Sequence, residues 1–551
     1  MSRQAFAWDR ARQRVRQRLD WSEGAWIVGL FIAAIALATV NLGGVPLRDW
    51  DEGIVAQVAR EIWIAPSGSQ HWLFPTLWGK PYLNKPPLVH NLVALAYRFG
   101  GSATAWTARF PGALLTALSV PLLYGVGCEL FPTRRPALLA ALVYLTTLPV
   151  IRHGRLAMLD GALTCFAILT LWCVLRSRRD ARWSLGIGLG LSLMVLTKGI
   201  AGLLVGAILG AFVLWDTPRL FLSLSFWCGL TLGSAPAIAW YAAQWSRYAE
   251  TFAETALWAQ SAERIWSTVD EHAEPPWFYL LQMLRSLPWL VVAAWGLNLA
   301  GREHPWSWAR LVMVWCGLYF TAVTLMSTKL YWYVLPIYPG LALAAGAALA
   351  DLECRPAAQP YPKFWALGAA GLSLTAAVYG LHLVQTNNNG ITGVVIAVAC
   401  LALTQGMSAL LLWRRDPQFI AILFWGTYVS LFVFFSTPAW LWELEEAFPV
   451  LPVAAEIHNL PVSEPVYIAP KERPSLSFYS GRRVMPVSAD NACERWHAAE
   501  AGSHFLLDPE TLAALQFESL PGREIGPKLV MVRKLSAVED ASIPVAQCQP
   551  G

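Results

Sequence analysis

Apolar stretches recur about thirteen times along the first 440 residues, and nothing else in the chain constrains its fold as strongly. The first runs from Trp26 to Val40. The others lie near 107–130, 137–151, 160–176, 184–197, 199–215, 220–241, 277–298, 309–326, 333–350, 364–384, 391–412 and 418–438. A bilayer core takes roughly 20 apolar residues per helix, so the set predicts a polytopic, mostly α-helical membrane protein with about thirteen spans, some of them short. Composition excludes the alternative of several soluble domains. The 551 residues are 56% hydrophobic and 14% charged, with 29 Trp, whereas soluble chains carry about 25% charged residues.

Charge gives the expected orientation. Arg3, Arg10, Arg12, Arg14, Arg16 and Arg18 precede the first apolar run. No small-residue cleavage site follows, so this reads as an uncleaved span with a cytoplasmic N-terminus. Arg134/Arg135, Arg176 to Arg182, Arg302, Arg355/Lys363 and Arg414/Arg415 fall on the same side when the spans alternate. An odd count then puts residues 441–551 outside the cell membrane. The weak step is "LTKGI", where Lys198 and Gly199 either separate two spans or interrupt one. Net charge is only +5, too small to imply a nucleic-acid partner. It divides into +11 before Leu441 and −6 after it.

Two domains follow: a membrane part, 1–440, and an outer module, 441–551. Three long polar stretches, 43–106, 242–276 and the tail, land on the outer face, which locates the chemistry there. In the tail, 465–469, 475–480, 482–487, 504–508 and 528–534 have strand-like composition. "NACERWHAAE" and "DPETLAALQ" read as helices, giving a small α/β module. Most of the nine Cys sit in apolar runs without a CxxC pair, which points to no zinc or redox centre. Cys493 and Cys548 are the two in the tail, and their spacing alone does not assign a disulfide.

Several ionisable residues mark the outer boundary. "RDWDEGIVAQVAREIW" places Ile54, Val55, Val58 and Ile62 at helical spacing, the pattern of an amphipathic helix lying on a membrane surface. Asp51 then stands at its N-terminal end, as a helix cap or as a catalytic acid, with Glu52 beside it. "WGKPYLNKPPL" adds Lys80, Asn84 and Lys85. Asp160 opens an apolar segment behind Arg152, His153 and Arg155, either as a functional acid or as the ion-pair partner of Arg155. Ionisable groups at membrane depth are costly and mark function. Lys198, Arg264, His272 and Lys329 complete the set. Two acids and several cations at one boundary suit a phosphate carried on a lipid, because cations neutralise a phosphate leaving group and a carboxylate takes a proton from an attacking hydroxyl.

The ordered motifs "WDEG…AREIW", "GKPYLNKPPL", "AMLD", "LTKG", "PWFYL" and "STKLYWYVLPIYP" resemble the GT-C glycosyltransferases, in the branch of protein O-mannosyltransferases and lipid A aminoarabinose transferases. The span count with an outside α/β tail is most similar to the second type. The resemblance implies a polyprenyl- or dolichyl-phosphate sugar donor and inversion at the anomeric carbon. It implies Asp51 and Asp160 as the catalytic acids, Lys85 on the lipid phosphate, and Arg264 and Tyr333 along the donor phosphate site. Glu52 and Lys329 join them as substrate-binding residues, while His272 matches a loop position only. The chain departs from the pattern at Ile54, Asn84 and Ser261, where the family often carries Arg, Glu and His.

The resulting expectation is a cell-membrane glycosyltransferase acting at the outer face on a lipid A-like, glycan or protein acceptor. No cofactor is required by the sequence, and a divalent cation at the acidic site is an open alternative. A multi-span transporter or lipid flippase is the competing class. Transporters often show inverted repeats and bind at mid-membrane, and neither feature is visible here.

Overall fold

The computed structural model describes residues 21–267, 274–303, 305–355, 361–386, 392–441, 449–469, 472–488, 491–514, 522–526 and 529–534. The Arg-rich stretch 1–20, His272 and Cys548 lie outside them.

The chain is a multi-pass membrane protein. Each apolar run forms a helix or a bent helix pair at nearly the boundaries its composition sets. Among the described residues, six helices are long and apolar enough to cross a bilayer: Ala105–Leu130, Asp160–Ser177, Ser307–Leu325, Tyr331–Glu353, Lys363–Thr386 and Gly393–Arg414. The pairs Arg134–Leu145 with Leu148–Gly154 and Phe278–Ser286 with Trp289–Arg302 bend by 59° and 109°, which makes eight if each pair is one span. Glu23–Thr39, Trp183–Lys198, Ile200–Asp216 and Phe419–Phe435 are apolar but shorter. Exposed Leu, Trp and Ile side chains on the outside of the bundle, such as Leu222, Leu232, Leu374 and Trp425, are what a lipid environment requires.

At "LTKGI" two separate helices meet. Gly199 adopts φ +49° and ψ −116°, which favours glycine, and the chain folds back so closely that a Cβ on Gly202 would stand 2.6 Å from the Met194 carbonyl carbon.

Residues 43–106 form the helix Asp51–Ile64, a short hairpin pairing Thr76–Leu77 with Lys80–Pro81, and the helix Leu88–Gly100. Of the apolar stripe on the first of these, Val55 and Val58 are buried against protein, while Ile54 and Ile62 are half-buried. Residues 242–266 continue as helix, from Leu224–Phe252 through a π-helical stretch, Ala253–Ala262, to Glu263–Trp266.

The tail holds a five-stranded sheet in the spatial order Val484–Pro486, Val466–Ala469, His504–Leu507, Leu529–Arg533, Gly522–Gly526. The first three strands are parallel and the last two pair antiparallel. Alternation sends Val466 and Ile468 to one face, with Val453, Ile457 and Leu476, and Tyr467 to the other, with Trp496 and Phe505. Cys493 is disulfide-bonded.

One expectation for the tail fails. Residues 475–480 belong to a helix, Pro474–Ser480, with proline in its first turn. Leu476 and Phe478 lie on opposite faces of that helix. Leu476 enters the core of the sheet, and Phe478 enters the core of the helical bundle. A helix buried on two faces alternates apolar and polar residues as a strand does.

Candidate active site

Glu52 fixes the local geometry. Its side chain and that of Arg109 are fully enclosed. Arg109 Nε and Nη2 each donate to the Glu52 carboxylate at 2.8 Å. The backbone N–H groups of Arg48, at 2.9 Å, and Ala157, at 2.7 Å, donate to it as well. Four donors fill the acceptor sites of a carboxylate. Arg109 gives its other N–H groups to the carbonyls of Leu42, Val45 and Pro46. Together these bonds tie the stretch 42–52 to the helix Ala105–Leu130 and to the approach to Asp160, and they hold the Glu52 carboxyl below its ordinary pKa through the Arg109 charge, against its own burial.

The turn ahead of Asp51 is strained. Trp50 has φ +61° and ψ −76°, and the Asp51 N–H donates to the Asp49 carbonyl at 2.9 Å. This is a γ-turn of the rare positive-φ form. Trp50 occupies the cap position of the helix Asp51–Ile64 and makes no side-chain cap, so Asp51 is not the helix cap. Asp51 is half-buried, and among the described residues its carboxylate accepts no hydrogen bond. Burial raises its pKa to about 6, with the Arg48 and Lys198 charges opposing and those of Asp160 and Glu52 adding to the rise.

Asp160 begins the helix Asp160–Ser177, and Lys198 ends the antiparallel helix Trp183–Lys198. Both therefore reach the same end of the bundle, and their ion pair measures 2.7 Å. Asp160 thus pairs with Lys198; Arg155 instead gives its guanidinium to the carbonyls of Leu37 and Val40. The Lys198 ammonium also sits 5.0 Å above the Tyr333 ring. The Tyr333 hydroxyl stands 3.5 Å from Nη1 of Arg264, whose Nε is buried without a partner among the described residues. Lys85 donates to Gln260 at 3.0 Å. Burial first, then the Lys198 and Arg264 charges, lower its pKa to about 7, while Asp160 and Asp51 pull the other way.

The structure thus brings Asp51, Asp160, Lys85, Lys198, Arg264 and Tyr333 to one place. Lys329 is buried, and its ammonium donates to the Met326 carbonyl at 2.9 Å, within its own turn. Lys80 is exposed on the hairpin. Arg48 is a residue the motifs did not single out. It is 8% exposed, and among the described residues its Nε and Nη1 have no hydrogen-bond partner. Its signal in the sequence was an arginine three positions ahead of Asp51, directly beside Asp49. Among the described residues no three His, Cys, Asp or Glu side chains gather as metal ligands do.

Residues 84–241 match the family model for dolichyl-phosphate-mannose-protein mannosyltransferases. An undecaprenyl phosphate-alpha-4-amino-4-deoxy-L-arabinose arabinosyl transferase of Aeromonas hydrophila is 27% identical over 338 residues, 59% of this chain and 60% of that protein. The chain therefore matches about 60% of the length of this curated relative. Among solved structures, ArnT of Cupriavidus metallidurans bound to undecaprenyl phosphate superposes with a TM-score of 0.74 at 21% identity, over 93% of this chain and 99% of that one. The archaeal oligosaccharyltransferase AglB of Archaeoglobus fulgidus gives 0.53 at 12% identity, over 96% of this chain and 76% of that one. The fold is that of the GT-C glycosyltransferases.

Proposed function

We propose that the protein is a membrane glycosyltransferase that moves a sugar from a polyprenyl phosphate to a hydroxyl-bearing acceptor, with inversion at the anomeric carbon. The observation that carries this reading is the convergence of Lys85, Lys198 and Arg264 on two carboxylates at one end of the bundle. An acceptor oxygen attacks the anomeric carbon as the bond from that carbon to the phosphate oxygen breaks. Asp51 takes the acceptor proton, and its freedom from other hydrogen bonds and its pKa near neutrality suit a general base. Negative charge grows on the departing polyprenyl phosphate. Lys85, Arg264 and the Tyr333 hydroxyl neutralise it where it forms. Asp160 orients Lys198 and the acceptor. Lys329 serves the donor site by shaping the turn that leads to Tyr333, and Glu52 serves it by holding the turn that aims Asp51. The chemistry of a divalent cation, if one binds, would act through Asp51 and Asp160.

The same reading gives about thirteen passes, a cytoplasmic N-terminus, the module 441–551 outside as a separate domain, and a lipid A-like, glycan or protein acceptor. It is supported by the likeness to relatives named as undecaprenyl-phosphate-dependent transferases. Against a transporter or lipid flippase, which often binds its cargo near mid-membrane between inverted repeats, stands the gathering of these charges at one end of the bundle. Mass spectrometry of polyprenyl-phosphate sugars in a strain lacking the gene tests the proposal. A single lipid-linked sugar should accumulate, its mass naming the sugar, and an unchanged lipid profile would overturn the reading.

A further inference from the structure

The turn that carries Asp51 is anchored on both sides, and one anchor comes from the far end of the chain. On one side is Glu52, held by Arg109. On the other is Asp49, whose carboxylate accepts hydrogen bonds from Arg473 Nε and Ser475 Oγ and, at 3.2 Å, from the Ser475 backbone N–H. Both members of the ion pair are largely buried, Arg473 6% and Asp49 14% exposed. The helix Pro474–Ser480 lies directly on the helix Asp51–Ile64. A Cβ on Gly53 would stand 2.7 Å from the Ser475 nitrogen and 3.0 Å from the Pro474 carbonyl carbon, so only glycine admits this approach. Two further bonds run alongside: the Leu47 N–H donates to the Tyr479 hydroxyl at 2.8 Å, and Arg60 Nη1 to the Phe478 carbonyl at 3.0 Å.

Between the two anchors sits the strained γ-turn at Trp50. A positive-φ γ-turn at a non-glycine residue is strained and persists only where its surroundings over-determine it. Release of Asp49 would let the turn relax, and Asp51, two residues on, would move with it.

We propose that Asp49, Arg473, Ser475 and Gly53 form a clamp through which the C-terminal module positions Asp51 for proton transfer, so that the active site is complete only with the tail docked. These are positioning residues, since none of them reaches the Asp51 carboxylate. The inference rests on the transferase reading and adds to it a part for the tail.

The test uses the full chain in nanodiscs and measures kcat, donor KM and the acid limb of the pH profile for wild type, Arg473→Ala, Ser475→Ala, Gly53→Ala and the exchanged pair Asp49→Arg/Arg473→Asp. The clamp requires kcat to fall about tenfold to 100-fold in Arg473→Ala and Gly53→Ala, as for a misplacement near 1 Å. Donor KM should stay within about twofold, because ground-state binding is untouched. The acid limb should shift, since it reports the surroundings of Asp51, and the exchanged pair should recover part of the lost rate. Ser475→Ala keeps the ion pair and removes one donor; its folded protein should lose about threefold or more in kcat even if Arg473→Ala does not fold. Folded variants with the wild-type rate and an unshifted limb would overturn the clamp. An inactive wild type would overturn the transferase reading instead.

Discussion

Arg109 and Glu52 meet in a fully enclosed bidentate pair, 57 residues apart in sequence, in which every N–H of the guanidinium and every acceptor site of the carboxylate is used. Desolvating two charges is expensive, and breaking such a pair by removing one partner leaves the other charge buried and uncompensated. Arg109→Ala should therefore cost roughly 3–5 kcal/mol. Thermal unfolding in detergent should show the loss, and it should persist at high salt because the pair is shielded from counter-ions. A fall no larger than that of Arg135→Ala, whose partner Glu353 lies at the surface, would contradict the role given to Glu52.

Asp51 links activity and stability with opposite signs. Its pKa, raised to about 6, means that the basic form predominates above that pH, so transfer should decline as pH falls through about 6. The folded protein holds this proton more tightly than the unfolded chain does. Its contribution to stability is thus present at low pH and lost as pH rises from about 4, the ordinary carboxyl value, through about 6. Asp51→Asn should raise the unfolding midpoint at pH 7 and leave it unchanged near pH 4. An equal shift at both pH values would rule out a buried, raised carboxyl.

Lys85 sets the other side of the profile. Its pKa is lowered to about 7, so in the free protein the ammonium is lost as pH rises through about 7, and kcat/KM for the donor should fall with it. A bound phosphate restores the proton, so kcat should hold to higher pH. Lys85→Ala should lower turnover roughly 100-fold or more, as for loss of one oxyanion-stabilising donor. Lys85→Arg, permanently charged, should flatten the alkaline limb. Lys80→Ala, on the exposed hairpin, should be near wild type; equal losses at 80 and 85 would remove the case for a specific phosphate contact.

Asp160 and Lys198 form a mutually dependent pair at 2.7 Å. Asp160→Asn should reduce transfer less than Asp51→Asn, and Lys198→Ala should add little on top of it. Coupling of about 1 kcal/mol or more in the double-mutant cycle is the expected result. Strict additivity in the rates would separate the two residues.

Much of this was legible in the sequence, for physical reasons that also explain the misses. Apolar runs end where charges begin, and those ends fix the helices Ala105–Leu130 and Asp160–Ser177 to within a few residues. Asp51, Lys85 and Arg264 stand out because a charge is rare beside such runs. Arg48 was passed over because an arginine in a loop carries no period, and only its place ahead of Asp51 marks it. The full occupation of Glu52 depends on Arg109, and the anchoring of Asp49 on a residue 424 positions away; such distances are set by tertiary packing. The strand expected at 475–480 became a helix because its two faces enter two different cores.

The central claim is tested most directly by the release of polyprenyl phosphate from a polyprenyl-phosphate sugar in nanodiscs supplied with a cell-envelope extract, comparing wild type with Asp51→Asn. Wild type should release the lipid phosphate in step with sugar transfer. Asp51→Asn should retain the donor and lose about 100-fold to 10,000-fold in rate, the range expected for removing a positioned base. No release by wild type, or equal release by both, would contradict the account.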